Sequence, residues 1–75
     1  MQRIDLYGYI EHKTGMSIDE LIADSPERFR AIETEALRDL VVMNHIAGTE
    51  YAVVPGPDTL DNPECARLAR EITIL

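Results

Sequence analysis

The chain has 75 residues, seven basic and 14 acidic side chains, a formal net charge of −7 and one cysteine. A chain this short forms one domain, residues 1–75, whose thin core buries only about 60% of the surface that the unfolded chain exposes. A single cysteine excludes an internal disulfide and favours a reducing compartment. The longest apolar run, Leu40 to Met43, is too short for a membrane span, and no basic segment precedes an apolar stretch. We therefore expect a soluble cytoplasmic protein without membrane contact.

The acidic residues are concentrated in two stretches of the chain. Residues 17–27 contain four acidic side chains and no lysine or arginine, and residues 39–66 contain five, again without either. Such a surface repels phosphate backbones and attracts basic protein patches. The charge thus predicts no nucleic-acid binding and a protein partner with a basic or mixed surface patch. The alternative is that these acids merely keep a small domain in solution.

The first element has two interpretations. Ile4, Tyr7 and Ile10 recur at helical spacing, and Gly15 is a typical helix stop, which predicts a helix from Arg3 to Thr14. A strand from Ile4 to Ile10 is the alternative, because its apolar residues also alternate, and it would pair with residues 51–54.

Three serine or asparagine caps predict the remaining helices. Ser17 and Glu20 form a capping-box pattern before a short helix to about Ala23. Ser25 and Pro26 favour the start of a long helix ending at Gly48. Its predicted inward stripe is Phe29, Ile32, Ala36, Leu40, Met43 and Ala47.

The last third of the chain is expected to be less helical. Residues 50–54 are predicted to be extended, and residues 55–58 to form a turn. Asn62 and Pro63 would cap a final helix that frays into an extended segment at residues 73–75. Its inward residues would be Cys65, Leu68, Ala69 and Ile72. The fold class predicted is mainly α, a small helical bundle, with α+β carrying a two- or three-stranded sheet as the alternative.

No set of residues predicts catalysis or a metal site. His12 and His45 lie 33 positions apart, and neither has a second ligand at the spacing of a zinc site. Cys65 falls on an apolar stripe, which favours a buried, inert thiol over a nucleophile. We therefore expect no enzymatic activity, no metal and no cofactor.

Several segments together resemble the acyl carrier protein family. The stretch from Tyr9 to Leu21 is similar to the family's first helix and its exit, and residues 50–55 resemble the segment after its second helix. Between them, Glu35-Ala36-Leu37 occupies the place of the Asp-Ser-Leu with which carrier proteins begin that helix. The resemblance implies a small helical bundle that docks onto partner enzymes. Because Ala36 has no hydroxyl, it also implies that this chain does not carry a phosphopantetheine arm.

Two alternatives to a docking module come from other classes. One is a working phosphopantetheine carrier modified at Ser25, which follows an aspartate but precedes proline. The other is a helix-turn-helix regulator or antitoxin, suggested by Gly15-Met16-Ser17 before Leu21 and Ile22, with a DNA mimic, suggested by the acidic charge, as a related idea. The acidic side chains of that second helix would repel DNA.

The predicted function is a non-catalytic, acidic module of carrier-like architecture that docks onto a partner protein, with a homodimer as one possibility. Leu37 and Val41 are i,i+4 neighbours and would form a small apolar ridge rimmed by charge. The alternative is that both are core residues. The predicted partner-binding residues are Glu35, Leu37, Arg38, Asp39 and Val41.

Overall fold

The computed structural model describes residues 2–47 and 51–75, which form helices and short strands. In chain order these are β1 (Gln2–Asp5), α1 (Leu6–Thr14), α2 (Ile18–Asp24), α3 (Pro26–Ala47), β2 (Tyr51–Val54), α4 (Pro63–Leu68) and β3 (Thr73–Ile74). Short 3₁₀ turns at Thr59–Asp61 and Ala69–Glu71 flank α4. The mainly helical prediction is confirmed, and the small sheet of the α+β alternative is present as well.

The sheet is parallel, with β2 between β1 and β3. Ile4 is paired in register with Val53, and Val53 with Ile74. Side chains of consecutive strand residues point to opposite faces. Ala52 and Val53 are both buried, so the central strand is covered on both faces, as is usual for parallel sheets.

The first element combines the two interpretations of the sequence. Residues 2–5 pair with residues 51–54, the partner segment expected for a strand, so the predicted helix start at Arg3 is wrong. The helix begins at Leu6, and its end at Thr14 is the one predicted. Gly15 terminates it in the left-handed conformation at φ 72°, and its N–H donates to the Glu11 carbonyl at 2.9 Å.

All three predicted caps are confirmed. The Ser17 hydroxyl accepts from the Glu20 N–H at 3.1 Å, and the Glu20 carboxylate accepts from the Ser17 N–H at 3.3 Å. The Ser25 hydroxyl accepts from the Arg28 N–H at 3.2 Å. The Asn62 carbonyl oxygen accepts from the Glu64 N–H at 3.2 Å.

The inner side of α3 is the centre of the core. Leu37 and Leu40 are fully buried, and Phe29, Ala36 and Val41 are nearly so. Burial of each large side chain stabilises the fold by about 1.5–3 kcal/mol. Met43 was predicted to face inward but is 39% exposed; it lies in the last turns of α3, which ends at Ala47. The predicted helix end at Gly48 and extended start at Glu50 lie outside the described residues.

The final segment follows its prediction closely. Cys65 and Ile72 are buried, and Leu68 and Ala69 are half-buried. The expected extended end is β3, which completes the sheet. No helix in residues 2–47 or 51–75 has the length and apolar character needed to cross a lipid bilayer.

Candidate functional site

The predicted partner-binding residues lie on two different sides of α3. Successive residues of an α-helix are rotated by about 100°, so neighbours in sequence can face opposite environments. Glu35 and Arg38 are exposed. Leu37 is 0% exposed and Val41 5% exposed, which places both in the core. The predicted apolar ridge is therefore wrong, and the alternative interpretation of these two residues as core is correct.

An exposed apolar pair does exist on α3, five residues further along. Val42 is 47% exposed and Ile46 is 81% exposed. They are i,i+4 neighbours, so their side chains lie one above the other on the helix surface. Helical rotation places them on the same side as Glu35 and Arg38. We call this surface the outer face of α3; it consists of Glu35, Arg38, Asp39, Val42, His45 and Ile46.

The charges of the outer face are balanced. Lys13, on α1, donates a hydrogen bond to the Asp39 carboxylate. This bond, together with the charge of Asp39, raises the pKa of the Lys13 ammonium. The pair neutralises Asp39, and Glu35 and Arg38 carry opposite charges within one helical turn. The outer face is thus locally neutral on a chain whose net charge is −7.

A buried carboxylate on the opposite side of α3 is the second unusual feature. Glu33 is 0% exposed, although an ionised side chain is costly to bury without partners. Its Oε2 accepts from the Thr59 hydroxyl at 3.0 Å and from the Tyr7 hydroxyl at 3.3 Å. Its Oε1 accepts from the Asn62 amide at 3.3 Å and lies 3.8 Å from the Arg30 guanidinium. Both oxygens therefore have partners.

These contacts join elements that are distant in the sequence. Tyr7 belongs to α1, while Thr59 and Asn62 lie in the segment between β2 and α4. The Thr59 hydroxyl also accepts from the Gly56 N–H at 2.9 Å, which fixes the turn after β2. We call Tyr7, Arg30, Glu33, Thr59 and Asn62 the Glu33 cluster. It secures the turn and the α4 start to the long helix.

The Tyr7 ring is held on two sides. It forms an edge-to-face pair with Phe29 at a centroid distance of 5.6 Å. On another side it lies against Gly56, where a Cβ would come within 2.0 Å of the ring. Burial, reinforced by the negative charge of Glu33, raises the pKa of the Tyr7 hydroxyl. The hydroxyl thus stays protonated and available as a donor to Glu33.

The geometry of the Glu33 cluster suits a structural role. A general acid or base needs hydrogen-bond reach to a reacting group, yet the Glu33 oxygens are already engaged by protein donors. A neighbouring cavity of about 130 Å³ is lined by Tyr7, Ile22, Pro26, Phe29, Arg30 and Asp58. Glu33 is not among its lining residues.

Sequence reasoning missed the Glu33 cluster. Its local signal was an acidic residue four positions after Phe29 and four before Leu37, on the apolar side of a helix. Its three uncharged donors are 26 to 29 residues away from Glu33, so no local pattern connects them.

Ala36 and Ser25, the two positions considered for phosphopantetheine attachment, both have structural roles. Ala36 is 2% exposed and lies in the middle of α3, which begins at Pro26. The Ser25 hydroxyl accepts the Arg28 N–H as a helix cap. Neither position presents a free hydroxyl at the start of a helix.

The histidines and the cysteine are separate from one another. His12 and His45 are exposed, on α1 and α3. Within residues 2–47 and 51–75, no three His, Cys, Asp or Glu side chains are grouped closely enough to hold a metal ion. Cys65 is fully buried, with its sulfur 3.8 Å from the Thr34 hydroxyl, and burial raises the pKa of its thiol.

Comparison with known proteins does not add to this geometry. No protein family model, no curated protein and no solved structure matches the chain. The resemblance to acyl carrier proteins therefore stays a prediction.

Proposed function

We propose that this chain is a non-catalytic interaction module that docks onto another protein through the outer face of α3. The observation that carries the proposal is the exposed apolar pair, with Ile46 81% and Val42 47% exposed on one side of the helix. A small apolar centre with a charged rim is the usual anatomy of a protein interface.

The proposed contact residues revise the sequence prediction by moving the apolar pair five positions along α3. Glu35, Arg38 and Asp39 remain as the charged rim, and Val42 and Ile46 take the role first assigned to Leu37 and Val41. The partner would present an apolar patch with basic or mixed charge around it, in the reducing cytoplasm. The engagement of both Glu33 oxygens and of the Ser25 hydroxyl supports docking in preference to catalysis or phosphopantetheine attachment.

The exposed acids of α2 support a protein partner over DNA. Asp19, Glu20 and Asp24 are all exposed on the helix that would have to enter the major groove. Phosphate contacts supply most non-specific DNA affinity, and these carboxylates would oppose them.

Site-specific photocrosslinking in the organism that encodes the chain tests this proposal. A photoreactive amino acid at position 46 should give a protein adduct, while the same group at exposed Ala66 on α4 should not. Equal yields from the two positions, or no adduct from position 46, would contradict docking through the outer face.

A further inference from the structure

The charge distribution along α3 allows a partner to be assigned to its outer face. We infer that this partner is a second copy of the chain, packed antiparallel about a two-fold axis near Val42. The inference rests on the proposed function, since it names the occupant of the same surface. Two-fold dimers are the commonest protein assemblies, and they require a surface that is complementary to itself.

The outer face has this self-complementarity when Val42 lies on the axis. Val42 then meets its own counterpart at the centre of the contact. Ile46 lies over the aliphatic stem of the partner's Arg38, and His45 lies beside the partner's Asp39. Long cationic side chains cover apolar surface with their stems while their charged ends stay in water. Apolar groups thus meet apolar surface across the contact.

The antiparallel direction follows from where the acidic residues are. Glu27 lies in the first turn of α3, toward the opposite end of the helix from Val42. At 1.5 Å per residue, Glu27 is about 22 Å from Val42 along the helix, so two antiparallel copies place their Glu27 residues about 45 Å apart. That distance exceeds the Debye length of about 8 Å in physiological salt. A parallel pair would bring the same acids side by side.

Charge also favours the outer face over the rest of the acidic molecule as the place where a second copy binds. The molecule is acidic as a whole, but the outer face is neutral because Lys13 pairs with Asp39 and Glu35 is balanced by Arg38. Two copies can therefore meet there without facing like charges. Because the contact is one helix face, we expect a weak, concentration-dependent dimer.

Cysteine crosslinking tests both the dimer and its axis. Native Cys65 is fully buried, so an introduced thiol is the accessible one. Under mild oxidation Val42→Cys should form an intermolecular disulfide at least about tenfold faster than Ile46→Cys, because a disulfide requires Cα atoms within about 7 Å. The two Ile46 positions would be about 12 Å apart along the axis. Equal rates for Val42→Cys, Ile46→Cys and the control Ala66→Cys would overturn the inference.

Light scattering on the unmodified chain supplies an independent readout. The apparent mass should rise from 8.5 kDa toward twice that value with protein concentration, and Ile46→Asp should hold it at the monomer. Added salt should change the dimer little, because the contact is locally neutral and the Glu27 residues of the two copies lie farther apart than the Debye length. A monomer at every concentration and salt level would overturn the inference. If the chain is monomeric but position 46 still crosslinks to a protein of different mass, docking through the outer face is still supported. If neither a dimer nor a crosslinked adduct is detected, the proposed function is rejected too.

Discussion

The two sides of α3 carry different kinds of residue, although they alternate within a few positions. The inner side holds fully buried Leu37, Leu40 and Glu33, and its one charge is surrounded by protein donors. The outer face holds exposed Val42 and Ile46, and its charges are balanced at the surface.

This comparison shows that polarity alone does not assign a residue to the core or to an interface. A buried glutamate is tolerated inside because Tyr7, Thr59 and Asn62 satisfy it. An exposed isoleucine on the outer face costs the fold little stability, and a partner protein can bury it. What separates the two sides is which other elements of the fold reach each residue. The inner side should therefore govern stability, and the outer face should govern association.

The largest expected difference is between Leu37→Ala and Val42→Ala. Leu37 is fully buried, so its truncation should lower the free energy of unfolding by about 2–5 kcal/mol. Val42→Ala should change it by no more than about 0.5 kcal/mol, because the side chain is on the surface. Urea denaturation of both variants measures this, and equal losses would break the division between the two sides.

The matched pair Glu33→Gln and Glu35→Gln tests whether the two sides of α3 also differ for charged residues. An amide at position 33 presents a donor where the carboxylate accepts, so at least one of Tyr7, Thr59 and Asn62 loses its acceptor. The expected loss in free energy of unfolding is about 1–3 kcal/mol. Exposed Glu35→Gln should have almost no effect in the same denaturation assay. A neutral Glu33→Gln would show that the cluster does not stabilise the fold.

Gly56→Ala tests the close contact between the turn and the Tyr7 ring. Its Cβ would lie 2.0 Å from the ring, and such overpacking costs about 1–3 kcal/mol. The cost should shrink in a Tyr7→Ala background, because the colliding atoms are gone. An equal cost in both backgrounds, measured as a double-mutant cycle, would place its origin elsewhere.

Alkaline pH should produce the smallest of these effects. The pKa values of the Cys65 thiol and the Tyr7 hydroxyl are raised in the folded chain, above ordinary values of 9.0 and 10.0. The stability that the protonated thiol and hydroxyl contribute is fully present below the ordinary pKa values. It is lost as the pH rises through the raised pKa values of the folded chain. Urea midpoints should therefore fall above about pH 9. In Cys65→Ala the first part of this decline should be missing, and a midpoint rising with pH would have the wrong sign.

The sequence was most informative where a structure depends on neighbouring residues. The Ser17, Ser25 and Asn62 caps, and the Gly15 stop, were all predicted, because each acts within four residues. The first element could not be settled locally, since residues 2–5 become a strand only by pairing with β2.

The candidate site depended on contacts that no local pattern contains. Glu35, Arg38 and Asp39 were recognised as surface charge, but Leu37 and Val41 were placed outside by spacing alone. Their i,i+4 spacing is the same as that of Val42 and Ile46, and only the packing of other elements distinguishes the two pairs. The Glu33 cluster was missed for the same reason.

Docking through the outer face is tested by the yield of protein adduct from a photoreactive amino acid at position 42, with and without Ile46→Asp. We expect Ile46→Asp to abolish the adduct while the free energy of unfolding stays within about 0.5 kcal/mol of the parent chain, because Ile46 is 81% exposed. An undiminished adduct in a folded Ile46→Asp variant would contradict docking through the outer face of α3.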